Sequence, residues 1–126
     1  LNKAKLNDAL ELAEAIELDV EKPYGKLSTG NKRKVALLVA EFSVCDEDLD
    51  VLLLDEPFTG LDTFSREAFQ KRWDQCQDGV LRLVSCHPDF DSMKLTSSVL
   101  ITDGEIKHIS TDAGDQSWGE LKPQLN

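Results

Sequence analysis

The chain opens on a helical pattern. Leu6, Ala9, Leu10, Ala13 and Ile16 recur at three- and four-residue spacing, with lysines and glutamates between them. That pattern predicts an amphipathic helix over residues 5–18. Pro23, Tyr24 and Gly25 then break the chain into a turn. Residues 31–44 predict a second helix, with Val35, Leu38, Val39 and Phe42 on one side. Ala36, Leu37 and Ala40 widen its apolar face, so this helix is expected to be well covered. Asp46, Glu47, Asp48 and Asp50 follow as an acidic, solvated connection.

Farther along, the pattern turns to strands. Val51, Leu52, Leu53 and Leu54 form an apolar run without alternation. Such a run predicts a strand covered on both faces, as in a parallel sheet. Asp62 is placed to cap a third helix running to about Gln77, on which Phe69, Trp73 and Cys76 share a face. Asp78 and Gly79 end it. Residues 80–85 predict a second apolar strand, stopped by Cys86, His87 and Pro88. Strand, helix, strand in that order implies a right-handed crossover between parallel strands. Residues 99–102 and 105–109 flank Asp103-Gly104, a two-residue hairpin signal. Beyond Thr111 the tail is polar, with one short helical turn expected near Trp118 to Leu121. There is no internal repeat and no low-complexity tract.

The 126 residues match one small domain or a part of a larger one. A chain of this length can bury roughly two-thirds of its unfolded surface. Its formal net charge is −10, from 14 basic and 24 acidic residues. That balance argues against general binding to nucleic acid, which needs basic side chains gathered on one face. It leaves room for a nucleotide, because helix ends and main-chain N–H groups supply local positive potential. Cys45, Cys76 and Cys86 are far apart with no C-x-x-C pair, which reads as reduced thiols in a cytosolic protein. No apolar run approaches the roughly 18 residues a membrane span needs. The start, Leu1-Asn2-Lys3, is neither a signal peptide nor an initiator Met, so the sequence is expected to be an excerpt or a processed product.

The segment richest in chemistry runs from Val51 to Asp62, VLLLDEPFTGLD. A buried strand that ends in two adjacent carboxylates is costly unless they meet a cation, water or donors. The C-terminal end of a parallel strand is also where α/β ligand sites form. Asp55 is suited to hold Mg²⁺, usually through water. Glu56 is suited to accept a proton from an attacking water. The competing reading is two carboxylates that start a helix, where the dipole favours them. Leu27-Ser28-Thr29-Gly30-Asn31 precedes the second helix. A hydroxyl and free N–H groups at a helix N-terminus make an anion site, or simply a helix cap. Lys32, Arg33 and Lys34 follow, either functional or a solvated helix face. His87 comes just after the second strand, where a lone His is more often structural.

Together these segments resemble the ATP-binding cassette (ABC) ATPases, over roughly Leu6 to Ile109. Leu27-Ser-Thr-Gly-Asn31 is similar to their signature loop, Leu-Ser-Gly-Gly-Gln. Leu27, Ser28 and Gly30 match, Thr29 replaces the first Gly and Asn31 replaces the Gln. If that first Gly serves a positive φ, the β-branched Thr29 costs stability or distorts the loop. Residues 51–62 resemble the Walker B strand and D-loop. The resemblance implies that Asp55 is the Mg²⁺-associated aspartate, Glu56 the catalytic base and His87 the switch histidine reaching the γ-phosphate. It makes Ser28, Thr29, Gly30 and Asn31 the loop that meets nucleotide, and Asp62 the D-loop aspartate facing a partner protomer. His108 matches nothing and reads as a surface residue.

The fold so implied is α/β. It is a partial P-loop NTPase (RecA-like) parallel sheet with flanking helices, part of an ABC helical subdomain, and a C-terminal β-hairpin. Residues 1–45 would be the helical portion and 46–126 the C-terminal part of the ATPase core. The implied cofactors are ATP and Mg²⁺. The implied partners are a transmembrane permease subunit and a second ATPase protomer, at the cytoplasmic face of a membrane. No G-x-x-x-x-G-K-[ST] occurs in the sequence. The cradle for the β- and γ-phosphates is therefore missing from it, and this chain alone is expected not to hydrolyse ATP. Without the neighbouring P-loop strand, residues 51–54 would expose a sheet edge or an apolar face. Two alternatives stand beside the transporter ATPase: a non-hydrolytic regulatory cassette, and the lobe of a chromosome-maintenance or repair ATPase of related type. The acidic charge and the Asp-Glu-Pro followed by a switch His speak against the latter.

Overall fold

The computed structural model describes residues 2–44, 50–76, 79–86, 93–110 and 116–125. Its architecture is mixed α/β. Contacts group the chain into two units, residues 1–85 and residues 86–126. The acidic connection except Asp50, the Asp78 helix stop and the His87-Pro88 segment lie outside the described residues.

The first unit holds helices α1 (Lys3–Ala15), α2 (Thr29–Ser43) and α3 (Thr63–Gln75), with strands β1 (Val51–Asp55) and β2 (Leu81–Ser85). Asn2 caps α1 through its side chain, which accepts from the Lys5 N–H at 2.8 Å. The helix stops at Ala15, three residues short of the predicted end, because Glu17 turns into the left-handed region at φ 54°. The Leu18 N–H then returns to the Ala13 carbonyl at 2.9 Å. Leu12, Ala13, Ile16 and Leu18 are buried, whereas Leu6 and Leu10 remain exposed.

Strands β1 and β2 pair in parallel and in register, Val51 with Leu81 through Asp55 with Ser85. The predicted crossover pairing is thus present, as a sheet of two strands. Coverage departs from the two covered faces that the apolar run predicted and agrees with the exposed apolar face also expected of residues 51–54. Leu52 and Leu54 are buried, while Val51, Leu53, Leu81 and Leu83 are exposed, Leu53 at 72%. Arg82, paired with Leu52, reaches Glu41 on α2, so the helical side covers that face alone. The apolar run predicted two covered faces, and one layer of helices can supply only one.

Helix α2 is also rotated from the expected face. Lys34, Leu37, Glu41 and Phe42 are the buried positions, and Val39 is exposed. The reason lies in a buried carboxylate. Glu41 accepts from Arg72 Nε at 3.0 Å, Trp73 Nε1 at 2.9 Å, and Arg82 Nη2 and Nε at 2.7 and 3.3 Å. Its side chain is 0% exposed. With four donors around it, burial of the charge is tolerable, and the helix turns this side inward. Phe58 and Phe69 pack on Trp73 as tilted rings, with Phe58–Trp73 centroids 5.4 Å apart and Phe69–Trp73 centroids 6.4 Å apart.

The second unit is a hairpin with a helix on it. Strands β4 (Ser97–Thr102) and β5 (Glu105–Ser110) follow the short strand β3 (Lys94–Leu95). The β4–β5 turn is Asp103-Gly104, at φ 49° and 75°. Both central residues at positive φ suit the right-handed twist of the flanking strands. Strand β6 (Gln116–Ser117) pairs with β3 and leads into α4 (Trp118–Leu125). The polar tail was expected to hold one helical turn; it holds an eight-residue helix. Ser117 and Glu120 cap it reciprocally: Ser117 N–H donates to Glu120 Oε2 at 2.8 Å and Glu120 N–H to Ser117 Oγ at 3.4 Å. Trp118 and Leu121 are buried, and Leu95, Leu100 and Ile109 pack on them. Among the described residues no helix is long and apolar enough to cross a membrane.

Two outcomes are expected. Glu41→Leu leaves Arg72 and Arg82 facing each other without their anion and should cost about 3 kcal/mol in urea unfolding. Combining Glu41→Leu with Arg72→Met and Arg82→Met should recover most of that loss; equal destabilisation by the single and the triple variant would contradict the buried-charge account. The uncovered Val51–Leu53–Leu81–Leu83 face should drive the 126-residue chain to self-associate, and Leu53→Lys should reduce this in sedimentation velocity. A wild-type sample that stays monomeric at high concentration would refute it.

Candidate functional site

The candidate residues cluster at the ends of elements in the first unit. Asp55 is the last residue of β1 and Glu56 the first beyond it, both exposed. The adjacent strand β2 ends at Ser85, opposite Asp55. Ser85 Oγ donates to Asp55 Oδ1 at 2.5 Å. The Glu56 N–H is shared between Ser85 Oγ at 2.9 Å and the Ser85 carbonyl at 3.0 Å. Glu56 lies in the left-handed region, φ 43°, which is uncommon for a residue with a Cβ and costs roughly 1–2 kcal/mol. Such strain is concentrated at functional sites. The Thr59 N–H closes the turn onto the Glu56 carbonyl at 3.2 Å, and Phe58, buried in the same turn, anchors it.

Helix α2 begins at the loop singled out in the sequence. Ser28 is its N-cap, accepting from the Asn31 N–H at 3.2 Å. The cap reading is the one the structure shows, and the capping hydroxyl keeps its proton to donate. Thr29 is the first helical residue and is not among the positive-φ positions, so replacing a Gly there brings no backbone strain. Gly30 lies against the next loop: a Cβ on it would sit 3.7 Å from the Gly60 carbonyl oxygen. Gly60 itself is at φ 77° and packs on the Arg33 side chain.

The three basic residues that follow each have an intramolecular role. Lys32 lies over the Tyr24 ring, 5.4 Å from its centroid. Arg33 donates to the Thr59 carbonyl at 2.8 Å. Lys34 is buried, donates to the Ile16 carbonyl at 2.8 Å, and pairs with Asp62 at 3.1 Å. A solvated face was one of the two readings for these charges; Lys34 and Arg33 instead tie α2 to the loop after β1. Asp62 caps α3 as predicted, accepting from the Ser65 N–H at 2.7 Å and the Ser65 hydroxyl at 3.0 Å. The Ser65 N–H first, then Lys34 and the Ser65 hydroxyl, hold its carboxyl down from the usual 3.8 to about 2, against an opposing desolvation.

Ser85 and Glu41 were not found by sequence reasoning. Ser85 carries no local signal beyond its place at the end of an apolar strand, and Glu41 interrupts an apolar helix face without nearby partners in sequence. His87 lies outside the described residues. Burial raises the Cys86 thiol above its usual range, which makes it a poor nucleophile. Among the described residues no group of three or more His, Cys, Asp or Glu side chains could hold a metal. Asp55 and Glu56, exposed carboxylates at a strand end, are donors of the kind a hydrated Mg²⁺ takes, one or two at a time beside phosphate oxygens.

The Asp62 cap makes acid stability a test. Its carboxyl is lowered on folding, so its contribution is full above pH 3.8 and is lost as pH falls through about 2. Asp62→Ala should destabilise by about 0.5–1 kcal/mol at neutral pH, the low part of the range for a lost cap because the carboxylate is half exposed. The gap between wild type and variant in thermal melts should narrow as the pH falls from about 4 toward 2. A gap constant over that window would refute the assignment.

No protein-family model matches the chain. Individual relatives do. A putative ABC transporter ATP-binding protein of Caldanaerobacter subterraneus is 32% identical over 104 residues, covering 82% of this chain and 41% of that protein. Another putative ABC transporter ATP-binding protein, of Geobacter sulfurreducens, is 42% identical over 62 residues, 49% of this chain and 23% of its own length. P-glycoprotein 14 of Caenorhabditis elegans is 34% identical over 93 residues, 66% of this chain and 7% of that protein. The chain thus spans less than half the length of these relatives. In sequence the chain is similar to a part of ABC transporter ATP-binding proteins.

Proposed function

We propose that this chain is the signature, Walker B and D-loop part of an ATP-hydrolysing subunit that powers a membrane transporter. The observation that supports this most is the exposed pair Asp55 and Glu56 at the C-terminal end of a parallel strand, beside the strand end that leads to His87. The end of a parallel strand is where α/β folds bind ligands. Asp55 would hold Mg²⁺, which when bound supplies charge neutralisation to the phosphates of ATP. Glu56 would accept the proton of the attacking water. His87 would donate a hydrogen bond to the terminal phosphate. Ser28, Thr29, Gly30 and Asn31 would present the hydroxyl and N–H groups of the α2 start to a nucleotide shared with a second ATPase protomer. Asp62 would border that same contact.

On this reading residues 1–45 belong to the helical portion of the cassette and residues 46–126 to its ATPase core. A transmembrane permease subunit would be the partner, at the cytoplasmic face of the membrane. The phosphate cradle would come from outside these 126 residues. The acidic balance of the chain disfavours nucleic acid as a partner.

The test uses the complete native gene product. Glu56→Gln should cut steady-state ATP turnover by about 100-fold or more while nucleotide stays bound, the usual scale for a lost general base. His87→Ala should lower hydrolysis with binding largely intact. Wild-type turnover in either variant removes the corresponding role. A complete protein that binds ATP without measurable turnover would favour a non-hydrolytic cassette instead.

A further inference from the structure

We infer that Ser85 is a positioning residue for the Asp55–Glu56 pair, holding the first by its side chain and the second by its main chain. The inference rests on the proposed roles of Asp55 and Glu56. A hydroxyl has one proton to give and lone pairs to accept with, and Ser85 uses both. Its proton goes to Asp55 Oδ1. Its oxygen receives the Glu56 N–H, which its own carbonyl also receives.

Two features of the structure make this more than a satisfied strand end. The first is register. Ser85 stands directly opposite Asp55, so the parallel pairing of β1 and β2 brings the hydroxyl to the carboxylate without a change in either backbone. The second is strain. Glu56 is held at φ 43°, a conformation that persists only where its surroundings over-determine it. Ser85 makes both bonds that reach the Glu56 N–H, and Thr59 makes the bond to its carbonyl. The direction of the Glu56 side chain therefore follows from where Ser85 holds its main chain. With Oδ1 engaged, the second oxygen of Asp55 keeps its lone pairs for a hydrated cation. Partners of this kind orient metal-ligating carboxylates, and their loss typically weakens metal binding about 10- to 100-fold.

The test is a Mn²⁺ titration, followed by electron paramagnetic resonance, of the complete native gene product with ATP present. Wild type is compared with Asp55→Asn, Ser85→Ala and Ser85→Thr. ATP affinity without divalent cation and the melting temperature are measured beside it. Ser85→Ala keeps the strand and the main-chain bond to Glu56, so melting and metal-free ATP binding should stay at the wild-type level. Its Mn²⁺ affinity should fall about 10- to 100-fold. Ser85→Thr, which restores a hydroxyl on a residue suited to strands, should return to within about threefold of wild type. If Asp55→Asn loses Mn²⁺ and Ser85→Ala stays within about twofold of wild type, the role of Ser85 is overturned while that of Asp55 stands. If Asp55→Asn binds Mn²⁺ as wild type does, the reading of Asp55 itself fails, and the role of Ser85 goes with it.

Discussion

The first unit depends on one buried charge. Glu41 sits near the C-terminal end of α2, in its apolar half, yet its carboxylate is wholly removed from solvent and met by Arg72, Trp73 and Arg82. These partners come from α3 and β2, so a single side chain sets the rotation of α2 and fixes it to both. Apolar packing alone would not choose that rotation. Val35, Leu38 and Val39 offer as much hydrophobic surface on another side, and they are left partly or fully exposed. An unpaired buried carboxylate is so unfavourable that the arrangement satisfying it excludes the others.

From that anchor the candidate site follows by short, direct links. The N-terminal turn of α2 is fastened to the loop after β1 by Arg33 on the Thr59 carbonyl and Lys34 on Asp62. Asp62 in turn caps α3, the helix that also supplies Arg72 and Trp73 to Glu41. On the other side of the same loop, Ser85 grips Asp55 and Glu56. The loop between β1 and α3 is therefore held at several points, and its strained Glu56 is stable because of them. A strained, exposed carboxylate at the end of a parallel strand is poorly explained by folding alone, which is why it is informative about function.

Much of this was legible along the chain. The β1–α3–β2 crossover, the Asp62 cap and the Asp103-Gly104 hairpin follow from local rules: apolar runs, capping chemistry, and the backbone freedom of Gly in a two-residue turn. Helix α4 was underread, although Ser117 and Glu120 spell a capping box, because the polar tail offers few apolar residues in sequence. Trp118 and Leu121 suffice once the hairpin presents Leu95, Leu100 and Ile109 to them.

By itself the sequence determined the type of the main elements, α1 to α3, β1, β2 and the β4–β5 hairpin, and which motif residues stand at their ends. It also carried the resemblance to the ABC ATPases, through the order and type of Asp55, Glu56, Asp62 and the Ser28 loop. Only the tertiary structure decided which face of α2 turns inward, which residues of the β1–β2 pair are exposed, and that Ser85 joins the two carboxylates. Those outcomes join Glu41 to Arg72 and Arg82, and Asp55 to Ser85, residues about 30 to 40 positions apart. Periodicity and capping report on neighbours within a turn or a hairpin, whereas a buried charge selects its partners through space.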